Sequence, residues 1–212
     1  MDNIPVFSTE NGVGSLVLRE IPYQEIAYII IRSTQEPELF LKECVDFCVQ
    51  VGAKKIFASG SSFLEKYPFH TAIWSMKRPL DGIGDTDAYL FPVTEATVEK
   101  WRTIYNDRMA NVANAAWYAW TDGKRLVKEG NGYFVHKDGQ LLGIGIASQE
   151  TIDAIISVVP GAGRDVLCAL CHALSGDAVC LQVASANLRA VRLYEKMGFI
   201  KTEEVSSWYQ IL

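Results

Sequence analysis

Residues 25–33, EIAYIIIRS, make an almost unbroken apolar run of strand length, and residues 53–60, AKKIFASG, make a second. Between them, EPELFLKECVDFCVQVG (36–52) carries apolar residues at helical spacing and stops at Gly52, a residue suited to the end of a helix. This succession predicts a parallel, right-handed β-α-β unit. SSFLEKY (61–67) predicts a short helix and HTAIWSMKR (70–78) a further strand, so the first part of the chain reads as a small α/β layer. The pattern then breaks at PLDGIGDTDAY (79–89), where Gly, Asp and Pro concentrate as in a linker or long loop. No internal repeat is visible, and the expected organisation is a first domain over 1–85 and a second over 86–212.

The second region opens with a strand, DAYLFPV (87–93), and a long amphipathic helix over 94–112, started by Thr94 with Glu95 and Glu99 in its first turns. NAAWYAWTDGKRLVKEG (114–130) predicts another helix. GYFVHKDGQLLGIGIAS (132–148) reads as two strands joined at Lys137-Asp138-Gly139, a good hairpin signal. After these come a strand TIDAIISVVP (151–160), a glycine-containing turn and a helix RDVLCALCHALS (164–175). The strand AVCLQVAS (178–185), the helix NLRAVRLYEKMG (187–198) and FIKTEEVSSWYQIL (199–212), with one or two strands, complete the chain. The fold class expected from this order is α+β: a mixed, mainly antiparallel twisted sheet flanked by helices, preceded by the small α/β domain.

Composition changes little in this picture. The chain has 212 residues, 49% hydrophobic and 21% charged, which suffices for one large domain or two small ones. No run reaches the ~18 apolar residues of a membrane span and the start lacks a signal-peptide layout, so no membrane partner and a cytoplasmic location are expected. A net charge of −5 without a Lys/Arg cluster argues against nucleic acid. The five cysteines, Cys44, Cys48, Cys168, Cys171 and Cys180, all fall in apolar stretches and read as small buried hydrophobes. Cys168-Ala-Leu-Cys171-His172 matches a haem-attachment string, but it sits inside a segment that is apolar all along a helical period, and no second Cys or His pair has zinc spacing. No metal is expected. Ser59-Gly60-Ser61-Ser62, between a strand and a helix, is better read as a serine helix cap than as an anion site.

The strongest local signal is Asn187-Leu-Arg-Ala190-Val-Arg-Leu193-Tyr194-Glu195-Lys196-Met-Gly198-Phe199. As physics alone it is a helix with Ala190, Leu193 and Met197 on one face, and with Gly198 as the cap that turns the chain into a strand. Asn187 and Tyr194 remain free for other work. Here the chain resembles the GNAT superfamily of N-acetyltransferases, in which Asn-x-x-Ala-x-x-Leu-Tyr-Glu-Lys-x-Gly-Phe recurs near the C-terminus, and the order of elements from Asp87 to Leu212 is similar too. A second similar feature is the strand-turn-helix Val158-Val159-Pro160-Gly161-Ala162-Gly163-Arg164-Asp165-Val166. It has both glycines of the family's diphosphate-cradling turn, but Val158 stands where the family has Arg or Gln, and the turn is shorter.

The resemblance implies acetyl transfer from acetyl-CoA to a primary amine, carried by a small molecule or a peptide, by direct attack in a ternary complex. Residues Val158–Val166 and Asn187 would then hold the cofactor. Tyr194 would protonate the departing thiolate, and backbone N–H groups near Val158 would polarise the thioester oxygen. Asp153 is the preferred base, with Glu150 second and a plain polar strand position the alternative for Asp153. The first domain would cover the acceptor side or form a homodimer contact. Trp101, Tyr105, Trp117, Tyr118 and Trp120 would line the acceptor pocket or, more simply, pack the core. A non-catalytic acyl-CoA-binding regulatory module is the rival reading. A dinucleotide site at the Pro-Gly-Ala-Gly turn is set aside, because no acid lies at 183–187 to bind a ribose.

Overall fold

The computed structural model describes residues 5–212. The chain forms two compact units, one running to Ile73 and taking in Val205–Leu212, the other spanning Trp74–Glu204. These units do not follow the boundary drawn at residue 85.

The first unit begins with a hairpin, β1 (Val6–Thr9) and β2 (Gly12–Val17), followed by a single helical turn, α1 (Ile21–Gln24). The apolar pattern did not suggest this hairpin, whose two-residue turn is Glu10-Asn11 between the paired Thr9 and Gly12. Next come β3 (Ile26–Thr34), α2 (Pro37–Gln50), β4 (Lys55–Ser59), a 3-10 turn (Ser62–Lys66) and the start of β5 (Phe69–Pro79). β3 is antiparallel to β2 and parallel to β4, as the β-α-β pattern requires. The chain's last strand, β11 (Ile200–Gln210), closes this sheet, with Tyr209 and Gln210 opposite Ala58 and Phe57. Phe40, Leu41, Cys44 and Cys48 form the buried face of α2 and pack with Leu16, Ile29 and Ile56.

The second unit contains the rest of β5, then β6 (Tyr89–Pro92), α3 (Val98–Met109), α4 (Trp120–Glu129), β7 (Gly132–Lys137), β8 (Gln140–Ser148), β9 (Thr151–Ser157), α5 (Gly163–His172), β10 (Ala178–Ala184), α6 (Leu188–Lys196) and the first part of β11. Its strand order is β11-β5-β10-β9-β8-β7-β6. β6, β7, β8 and β9 are successively antiparallel, and β9 pairs with β10 in parallel. The result is a mixed, mainly antiparallel sheet between two helical layers. On one face α5 and α6 pack on Val135, Leu142, Ile152 and Leu181; on the other α3 and α4 pack on Phe134, Ile144, Ala154 and Ile156.

Two local readings are corrected by packing. The segment 80–88 is irregular, but it is no free linker: Ile83 joins the α5 core, Thr86 donates to Asp165 (3.2 Å), and the Arg164 guanidinium reaches Asp85 O. The helix expected over 114–130 starts only at Trp120. Buried Asn106 explains why, since its amide accepts from Tyr118 N–H (2.9 Å) and donates to Tyr118 O (3.1 Å). Both backbone groups of Tyr118 are thereby satisfied outside a helix. Asp122 then caps α4 by accepting from Ala119 N–H. Among the described residues no helix is long and apolar enough to cross a membrane.

Candidate functional site

β9 and β10 stay paired only at their beginnings, Thr151 with Cys180 and Ile152 with Leu181. Both strands continue, β9 to Ser157 and β10 to Ala184, without further pairing. Two parallel strands that part leave a row of unpaired peptide groups facing a gap. Val158 N–H is not among them, because it donates to Leu142 O at 2.8 Å. Strand alternation therefore turns the amides of Ile155 and Ser157 toward the gap.

Five residues, 158–162, separate β9 from α5. Gly161 takes a φ of +87°, and a methyl group built on it would meet nothing within 4 Å, so the turn is open on that side. Ala162 N–H bonds back to Val159 O, whereas no backbone carbonyl among the described residues accepts from Gly161, Gly163, Arg164 or Asp165. Such free amides at the start of a helix, aided by its dipole, suit an anionic oxygen group. The side chains around them have other tasks. Arg164 and Asp165 engage the 80–88 loop and each other (3.6 Å), which occupies the one carboxylate that would repel an anion. Val166 is fully buried with its N–H on Ala162 O, so it supports the turn from below. A β-carbon on Gly163 would lie 3.0 Å from Leu193 Cδ2, which brings α6 directly against the cradle.

α6 carries Asn187 and Tyr194, the other two residues expected on the cofactor side. Asn187 caps the helix by accepting from Ala190 N–H (3.2 Å), and this uses its oxygen and leaves its NH2 group for another partner. Tyr194, two turns along the same face, is 7% exposed and packs on Phe199. Burial pushes its phenol pKa upward, which keeps it protonated and able to donate.

Asp153 occupies a bulge. Ile146 of β8 faces Ala154 and Ala147 faces Ile152, so Asp153 has no partner opposite it. The bulge reverses the alternation: Ala154 and Ile156 face α3 and α4, while Ile152 faces α5. Asp153 shares its electrostatic surroundings with Glu129 at the end of α4 and with Tyr118. Its carboxyl pKa is raised, first by desolvation and then by the Glu129 charge. Glu150 is elsewhere. It precedes β9 at the end where β9 and β10 remain paired, and its side chain lies against Gly176.

The aromatic residues near Asp153 are mainly core. Trp101 is fully buried, stacks on Tyr105 (5.3 Å) and touches Tyr118 (5.2 Å), and Tyr105 and Tyr118 are 4.6 Å apart. Burial, with Asp122 next, lifts the Tyr118 phenol to about 12. Trp120 is exposed under the Lys124 ammonium. Two groups at this site had no signal in the sequence pattern: Glu129, and Arg108, which reaches from the last turn of α3 to Val158 O (3.2 Å).

No protein-family model matches the chain, and no curated protein sequence does. Solved structures do. A functionally unknown conserved protein from Staphylococcus epidermidis is similar with a TM-score of 0.60 and 10% identity, over 99% of this chain and 94% of that one. A GCN5-related N-acetyltransferase from Anabaena variabilis is similar with a TM-score of 0.61 and 11% identity, over 94% of this chain and 59% of that one. An acetyltransferase of the GNAT family from Colwellia psychrerythraea is similar with a TM-score of 0.51 and 14% identity, over 97% and 84%. Parted parallel strands, a glycine cradle opening α5, and α6 laid against it thus stand in an architecture shared with these enzymes, and the chain has the fold of the GNAT N-acetyltransferases.

Proposed function

We propose that this protein is an N-acyltransferase that moves an acetyl group from acetyl-CoA to a primary amine. The observation that carries the reading is the parting of β9 from β10 directly beside a turn whose amides have no backbone acceptor. An extended thioester fits the gap and a diphosphate the turn. When bound, acetyl-CoA supplies an acyl thioester that a neutral amine attacks.

The chain's own groups divide the work. Amides of Gly161, Gly163, Arg164 and Asp165 hold the diphosphate, and Asn187 NH2 reaches the pantetheine arm. Ser157 N–H, or Ile155 N–H one step back on the same edge, polarises the carbonyl oxygen as negative charge develops there. Asp153 takes the amine proton, directly or through water, and its raised pKa makes it a stronger base than a free carboxylate. Tyr194 gives its proton to the departing sulfur. The C–N bond forms as the C–S bond breaks, so one proton leaves the amine and one arrives at the thiolate.

The test is release of free thiol from acetyl-CoA by purified protein in the presence of a panel of primary amines, from small amines to peptide N-termini. Amine-dependent release above the amine-free rate is expected. Saturable acetyl-CoA binding with no release from any amine would instead select the regulatory acyl-CoA-binding reading, which the short turn and Val158 favour. The absence of both would remove the assignment.

A further inference from the structure

Both units repeat one plan. In each, three antiparallel strands precede a helix, and the strand after that helix returns parallel to the third: β1-β2-β3-α2-β4 in the first unit, β7-β8-β9-α5-β10 in the second. The correspondence extends to side chains. The middle strand carries Gly-x-Gly in both, Gly12 and Gly14 on β2, Gly143 and Gly145 on β8. A β-carbon on Gly12 would lie 2.8 Å from Phe40, and one on Gly143 2.7 Å from Val166; Phe40 and Val166 are each the fourth residue of their helix. One turn on, Leu170 would meet a β-carbon on Gly145 at 2.3 Å; in the first unit a β-carbon on Gly14 would meet Phe40 again, at 3.2 Å, while Cys44, one turn on, is fully buried as Leu170 is. The last strand is exchanged. The end of β11 completes the sheet of the first unit beside β4, and the end of β5 lies beside β10 in the second.

What differs is everything that would hold a cofactor. β3 and β4 are paired along the whole of β4, from Lys55 to Ser59, and just beyond it a β-carbon on Gly60 would lie 2.3 Å from Ile31 O. Pairing thus persists to the end of β4, beyond which β3 runs on to Thr34 without a β4 partner. Only Gln35 and Glu36 separate β3 from α2, against five residues in the second unit. The first residue of α2 is Pro37, which has no N–H to offer, where α5 has Gly163. The second is Glu38 where α5 has Arg164; Glu38 is paired with Lys66, and Glu36 adds a further acid at the helix start. A five-residue 3-10 turn stands in place of α6, with Ser61, which makes no side-chain cap bond, where α6 has Asn187.

We infer that the chain is a duplicated acyl-CoA half-fold whose first copy has a closed groove, so that one chain takes one acyl-CoA, held by the second unit. This rests on the acyltransferase reading for the identity of the ligand. Duplication with exchanged strands preserves the first copy's packing while releasing its groove from selection.

Isothermal titration of the full chain with acetyl-CoA, paired with hydrogen-deuterium exchange at saturation, tests it. One equivalent is expected, with protection at 155–165 and 187–194 and none at 31–40 or 59–66. Gly163→Val should weaken that single site at least tenfold. Should the variant fold poorly, the exchange map of the native chain decides alone. Two equivalents, or protection at 31–40, would overturn the inference while leaving the acyltransferase reading intact. No binding at all would overturn both.

Discussion

The two faces of the second unit's sheet were not equally legible. On the α5 and α6 face, the cradle, the Asn187 cap and Tyr194 come from short stretches in which each role is set by neighbours a few residues away. A glycine turn, a helix start and a seven-residue spacing are all local facts. On the α3 and α4 face the decisive events are distant pairings. Asn106 holds the peptide of Tyr118 and so delays α4, and a bulge opposite Ile146 and Ala147 aims Asp153. Local geometry is written in local sequence; a clamp or a bulge depends on what the fold places opposite.

If the faces divide the chemistry, changes at Asp153 on one should affect turnover and changes at the glycine turn on the other affinity, with Tyr194 the exception. The largest effect is expected for Asp153→Asn, a loss of turnover of roughly 10²-fold or more if Asp153 is the base. The acid limb of the pH–rate profile should vanish with it, while acetyl-CoA affinity holds. An unchanged profile would give the role to a water chain.

Gly163→Val should act in the opposite sense. Overpacking against Leu193 should displace the turn and weaken acetyl-CoA binding by about 10- to 100-fold, ~1.4–2.8 kcal/mol, by titration. Unaltered affinity would show that the cradle is a tight turn and nothing more.

Tyr194→Phe lies between the two. The ring packing survives and only the donor goes, so turnover should fall by ~1–3 kcal/mol, about 10- to 100-fold, with affinity and thermal midpoint retained. A loss of stability with turnover intact would make the hydroxyl structural.

Asn106→Ala should cost about 1–3 kcal/mol in urea unfolding, since the Tyr118 N–H loses its acceptor, while its C=O keeps Arg102 Nε (3.1 Å). A neutral result would mean that water replaces the amide and that the clamp does not hold the segment. The smallest effect concerns pH. Because the folded pKa of Asp153 is raised, the native state holds the proton more tightly, and stability declines as pH rises from the unfolded carboxylate value through the folded one. Asp153→Asn should therefore melt slightly higher than the native chain above that window, and the gap should close below it.

Comparing the two units adds a second lesson about legibility. No repeat is visible in the sequence, yet the Gly-x-Gly strands and the fourth residues of α2 and α5 superimpose in role. Phe40 answers Val166 and Cys44 answers Leu170; the shared quantity is apolar volume at a position, and many residue types provide it. The signal that would have exposed the repeat is the pair of glycines two apart on a strand before each helix.

The sequence by itself determined the mixed α+β class and the elements from β3 to β4 and from β7 to β11, because periodicity, caps and glycine turns act over one or two turns of chain. It also marked Asp153 as a carboxylate on the right strand. The tertiary structure alone decided that β9 and β10 part while β3 stays paired to the end of β4, that β11 crosses from one unit's sheet to the other's, and that Glu150 lies away from the gap. Strand pairing is a relation between segments far apart in the chain, and its energy depends on which backbone groups the whole fold leaves opposite one another.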